Sequence, residues 1–128
     1  MSAKDVFRWH SPQLERDVQL VRWGHYGTPV MLFPTAGGDA EEVERFHLIR
    51  VLEPLLTAGR IKVYSTDSVA GRAWISGEHS GEYCSKLQNR FDAFINREVT
   101  PAIRRDCQME DVEIIAAGAS IGAFNAVA

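Results

Sequence analysis

Gly118-Ala119-Ser120-Ile121-Gly122 has the spacing G-x-S-x-G, which presents a serine for nucleophilic attack on an acyl carbonyl. A serine at the tip of a sharp strand-to-helix turn takes a strained backbone. Glycines on either side remove the Cβ atoms that would strike the neighbouring strand and helix. The helix that starts there points its free amides at the site, so the N–H of Ile121 can hold a developing oxyanion. The bare pattern arises by chance in roughly one of twenty-five chains of this length, so its context decides. VEIIA at 112–116 before it reads as a strand, and AFNAVA after it reads as the start of a helix. A second oxyanion donor is expected from an earlier strand-to-helix loop, and PTAGGD at 34–39 follows the apolar run Val30 to Phe33. On the motif alone a plainer role stays open, a turn of small residues that lets helix and sheet pack closely.

The elements that must position these loops alternate along the chain. VQLVRW at 18–23 sets Val18, Leu20 and Arg22 against Gln19, Val21 and Trp23, as in a strand with two unlike faces. Gly24-His25-Tyr26-Gly27 reads as a hairpin turn. Val30 to Phe33, a continuous apolar run ended by Pro34, suits a strand buried on both faces of a parallel sheet. Asp39 with Glu42 forms a capping-box-like helix start. Val43, Phe46, Ile49, Leu52 and Leu56 then recur at helical spacing until Gly59. IKVYST at 61–66 is a further strand. From about Glu82 to Cys107 a helical region carries Tyr83, Leu87, Phe91, Phe94 and Ile95 on its inner side, with a kink or split expected at Pro101. Strand, helix, strand, helix, strand predicts an α/β layer with a parallel sheet.

The totals narrow the function classes. At 128 residues the chain is one domain or part of one, and it shows no repeat, linker or low-complexity tract. A net charge of -3 from 14 basic and 17 acidic residues, well mixed, gives no basic stripe for nucleic acid. MSAKDVFRWHSPQ lacks an apolar signal core, and the most apolar stretch is shorter than the ~20 residues of a membrane span. The expectation is a cytoplasmic protein with neither nucleic acid nor membrane as partner. Cys84 and Cys107 stand outside any metal-ligand spacing, so buried reduced thiols are expected, with no metal site. A nucleotide-binding domain fits poorly, because Ser120 stands where G-x-G-x-x-G needs its second glycine and no P-loop lysine is present.

GHYGTPVMLFPTAGGD, the strand KVYSTDS with a tryptophan shortly after it, INREVTPAI and GASIGAFNA together resemble the N-terminal half of the esterase branch of the α/β-hydrolases. That branch includes S-formylglutathione hydrolase and the antigen 85 mycolyltransferases. The resemblance runs from about residue 18 through nearly all the rest of the chain. It implies a three-layer αβα fold with a mostly parallel sheet, residues 1–128 forming an incomplete N-terminal part of one α/β-hydrolase domain. It implies Ser120 as nucleophile, Gly118 and Gly122 as the elbow glycines, and Ile121 N–H as one oxyanion donor. The other donor falls on Ala36, with Thr35 as the alternative. The family order of serine, acid, histidine places the acid and the base downstream of Ser120. Here His10, His25, His47 and His79 all precede the serine, as do all the aspartates and glutamates.

The expected activity is therefore that of a serine esterase acting on a small carboxylic or thiol ester through an acyl-enzyme, without metal or organic cofactor. An acyltransferase of the same fold and a catalytically silent binding module are the alternatives. The 128 residues alone are expected to be inactive and to need a longer chain, a completing polypeptide or self-association. The other residues have simpler readings. His25 is expected to hydrogen-bond near a strand end and His47 to be partly exposed; His79 is a candidate for an active-site rim, and Trp74 is either a pocket wall or a lid over core. Asp39 and Asp67 are expected to cap and to close turns.

Overall fold

A computed structural model describes residues 4–34, 39–45, 48–67, 80–109 and 112–118, without the side chains of Val43 and Arg45. Five strands form one sheet: β1 (Lys4–Ser11), β2 (Arg16–Trp23), β3 (Thr28–Phe33), β4 (Ile61–Thr66) and β5 (Ile115–Gly118). Their order across the sheet is β1-β2-β4-β3-β5. β3 pairs in parallel with both β4 and β5, while β2 is antiparallel to both its neighbours. Four strands thus point the same way and β2 alone is reversed, a mostly parallel sheet.

Both faces are covered. On one lies α2 (Leu48–Thr57), packed with Ala40 on Val21, Trp23, Leu32 and Val63, next to α1 (Glu42–Arg45), whose Glu44 bonds Trp23. On the other lie α3 (Gly81–Phe94), a π-helical segment (Ile95–Val99) and α4 (Thr100–Cys107), packed on Val18, Leu20, Met31, Phe33 and Tyr64. The expected two faces of 18–23 therefore both bury apolar side chains, because the sheet is the middle of three layers. Each fully buried large side chain, such as Trp23, Phe91 or Phe94, contributes about 1.5–3 kcal/mol.

Several local expectations change. β1 and the tight connection to β2 are additions. Pro12 to Glu15 close that hairpin with a bond from Glu15 N–H to Ser11 O of 2.8 Å and with Glu15 at φ 54°. Gly24 to Gly27 is not a hairpin turn, because β4 lies between β2 and β3. Those residues step past the start of β4 instead. Thr28 N–H bonds Arg60 O at 3.0 Å, and a Cβ on Gly27, at φ 114°, would lie 2.3 Å from the Arg60 carbonyl carbon. That close approach is what requires glycine.

His25 in this turn is exposed, and no hydrogen bond to it occurs among the described residues, since the turn faces solvent. Tyr83 is 43% exposed, and Cys84 takes the buried place expected for it. Phe91, Phe94 and Leu87 are buried as expected, and Ile49 and Leu56 bury the inner face of α2. The last strand is 115–118 rather than 112–116.

The long helix does split near Pro101, through widening. Proline has no N–H to donate and its ring crowds the carbonyl four residues back. The chain answers with five π-helical residues, and Thr100 N–H bonds the Ile95 carbonyl five positions earlier. Gly59, at φ 72°, ends α2 with bonds from its N–H to Leu56 O and from Arg60 N–H to Leu55 O.

Candidate active site

The parallel strands β3, β4 and β5 end at one edge of the sheet, the edge where open α/β sheets bind ligands. Register brings the ends level: Leu32 pairs with Ala117 and Phe33 with Gly118. PTAGGD leaves the sheet one residue after Phe33, and the GASIG turn begins at Gly118 itself. The chain thus leaves two adjacent strands side by side, at Pro34 and at Gly118, far apart in sequence. Ser120, Ile121, Gly122, Thr35 and Ala36 lie outside the described residues, as do His47, Trp74 and His79. Gly118 is described, as the exposed last residue of β5.

The exit of the first loop is held firmly. Ala40, fully buried, donates its N–H to Asp67 Oδ1 at 2.8 Å, which ties the chain entering α1 to the residue after β4. Asp39 Oδ1 accepts from Glu41 N–H at 2.9 Å, the capping role read from the sequence. On the far side Trp23 Nε1 donates to Glu44 Oε2 at 2.6 Å, and Lys4 Nζ reaches Glu41 at 2.7 Å and Glu44 at 3.2 Å. The Trp23 bond, against the opposing effect of burial and with help from Lys4, holds the Glu44 carboxyl below the usual carboxylate range. The Glu41 bond raises Lys4 above its ordinary value despite burial. Apart from the Asp39 cap, these anchors have little signal in the sequence. Asp67 directly after a strand was the one visible signal, and its partner is 27 residues away.

One histidine and one aspartate do pair: His10 Nδ1 lies 3.0 Å from Asp17 Oδ1 on the β1–β2 hairpin. β1 and β5 are opposite edges of the sheet, four strand spacings or about 19 Å apart, which puts this pair out of reach of a nucleophile after β5. His25 lies at the other end of the strands, beside Gly59. Among the described residues no cluster of three metal-ligating side chains occurs, and no helix is long and apolar enough to cross a membrane. Cys84, buried, and Cys107, half-buried, are reduced thiols.

No protein-family model and no curated protein matches the sequence. Solved structures do. A ferulic acid esterase superposes with a TM-score of 0.68 at 18% identity, over 98% of this chain and 53% of that one. MPT51 of Mycobacterium tuberculosis gives 0.70 at 17%, over 98% and 45%. An S-formylglutathione hydrolase from Agrobacterium tumefaciens gives 0.66 at 14%, over 98% and 51%. The chain spans about half the length of each. At such identities the likeness establishes the fold, which is the α/β-hydrolase fold.

Proposed function

We propose that this chain, which has the α/β-hydrolase fold of those esterase-type proteins over about half their length, carries the nucleophile and the oxyanion hole of a serine esterase. Ser120 is the nucleophile, and the N–H groups of Ile121 and Ala36, with Thr35 as the alternative to Ala36, stabilise the oxyanion. The observation that supports this reading is the level ending of β3 and β5, Phe33 opposite Gly118, which starts the two loops from adjacent positions at one edge. Two donors and a nucleophile meeting around one carbonyl need that proximity.

In the first step the Ser120 oxygen bonds to the acyl carbon, its proton passes to a histidine base, and the carbonyl electron pair becomes the oxyanion. Collapse expels the alcohol or thiol, which takes the proton back and leaves an acyl-enzyme. Water repeats the sequence and releases the acid. The base and its carboxylate partner come from sequence beyond these residues or from a completing chain. Neither His10 nor His25 is near the site, and the family order places both groups after the serine. The substrates are small carboxylic or thiol esters. Ser120→Ala in the complete protein should cut turnover of an activated ester at least ~1000-fold while leaving the melting temperature within a few degrees. Unchanged turnover would discard the proposal.

A further inference from the structure

The edge of the sheet farthest from β5 carries a cleft with its own chemistry. It is about 670 Å³ in volume and lies between the β1–β2 strands and the π-helical segment with α4. Ligand pockets commonly span about 300–1,000 Å³. Its apolar wall includes Phe7 and Trp9, both partly accessible, and its polar lining is Arg97, Glu98, Arg105 and Asp106.

The two acids are already occupied. Glu98 accepts from Trp9 Nε1 at 2.7 Å, from Ser11 Oγ at 2.7 Å and from Gln13 N–H at 3.1 Å. Asp106 accepts from Arg22 at 2.7 and 2.9 Å and from the Tyr64 hydroxyl at 2.5 Å. The two arginines are not occupied. Both are exposed, and among the described residues neither guanidinium has a hydrogen-bonding or ion-pair partner. The cleft therefore offers apolar and aromatic surface together with two cationic groups that have no carboxylate partner, while most acceptor positions of its two acids are taken. An anion would give the guanidinium groups an ionic partner, which neither a cation nor a neutral ligand can supply.

We infer that this cleft is a second binding site, separate from the Ser120 edge, for a small amphipathic anion: a carboxylate held by Arg97 or Arg105 with its aromatic or alkyl body against Phe7 and Trp9. An arginine fork matches a carboxylate, and its planar group also stacks on aromatic surface. The site is formed within β1, β2, the π-helical segment and α4, all of them described. It does not depend on what lies beyond β5 or on the esterase reading.

The test follows the indole N–H resonance of Trp9 in the complete protein, assigned with Trp9→Phe, during titration with 4-phenylbutyrate, 4-phenylbutanol and 4-phenylbutylamine. The carboxylate should shift that resonance saturably, and the alcohol and amine should bind at least about tenfold more weakly. Arg97→Gln combined with Arg105→Gln changes only exposed side chains. It should weaken the carboxylate about tenfold and leave the alcohol unchanged. Ser120→Ala should bind the carboxylate like the unaltered protein, which keeps this outcome separate from the fate of the esterase proposal. Equal affinity for the three compounds, no saturable shift at Trp9, full retention by the double variant, or binding to anionic vesicles without binding to the soluble carboxylate would each overturn the inference.

Discussion

The two edges of the sheet are built differently. At the β1 edge, long-range polar bonds tie strand to helix. Glu98 gathers three donors from the hairpin, and Arg22 bridges Asp106 on α4 and Asp5 on β1. Lys4 holds α1 through two carboxylates. At the β5 edge the described contacts are the parallel ladder to β3 and modest packing. Ile115 is 52% exposed, and Ala116 and Gly118 are exposed too. The contrast separates what holds the domain together from what it presents. The β1 edge is tied together by its own side chains around one lined cleft, whereas β5 leaves Ile115, Ala116 and Gly118 exposed.

Breaking the β1 edge should cost most at Asp106. Burial acts to raise its carboxyl, but the Tyr64 and Arg22 bonds outweigh that and hold it below the usual carboxylate range. Burial and the Asp106 bond in turn push the Tyr64 hydroxyl well above its ordinary value. Asp106→Asn leaves the partly buried Arg22 with Asp5 as its remaining acid and should destabilise by about 3 kcal/mol, a fall of roughly 10 °C in melting temperature. The sign with pH follows from the depressed folded value. The stabilisation is complete above the unfolded carboxylate value near ~4 and is lost as pH falls through the folded one. Acid unfolding should therefore steepen below about pH 4, and Asp106→Asn should flatten that limb.

A smaller effect belongs to Glu98→Ala, which strips the acceptor from Trp9, Ser11 and Gln13. About 2 kcal/mol of stability should be lost in urea titration, with faster amide exchange at Gln13. Glu98→Gln should recover part of it. Smallest of all, Ile115→Thr on the open edge keeps the β-branched shape on a half-exposed strand and should change stability by less than about 0.5 kcal/mol. A larger loss there would mean that β5 is covered in solution and that the two edges are not so different.

Much of this architecture was legible in residue pattern. β2 to β4, the helical faces of 48–57 and 81–107 and the break near Pro101 all follow from local periodicity and from proline chemistry. β1 escaped because Pro12-Gln13-Leu14-Glu15 carries none of the glycine or asparagine that signals a hairpin, and Glu15 supplies the left-handed residue. The glycines of Gly24 to Gly27 signal a hairpin instead, whereas Gly27 serves a close pass by Arg60 and Gly24 one by Ile61. Sequence adjacency suggested pairing of β2 with β3, but a third strand 33 residues later inserts between them.

Site legibility divides the same way. Asp39 was readable as a cap because its partner is the amide two residues on, whereas Asp67 accepts from Ala40, 27 residues away. The Arg22–Asp106 and Trp9–Glu98 contacts span 84 and 89 residues, and no local rule reaches that far. Ser120 lies outside the described residues, so its role remains the proposal that its flanking glycines and the preceding strand support.

Labelling that complete protein with a fluorophosphonate and locating the adduct by peptide mass spectrometry tests the central claim most directly. The account predicts one stoichiometric adduct, on the Ser120 oxygen, absent from Ser120→Ala. Complete protein that stays unlabelled, or an adduct on another residue, would contradict it.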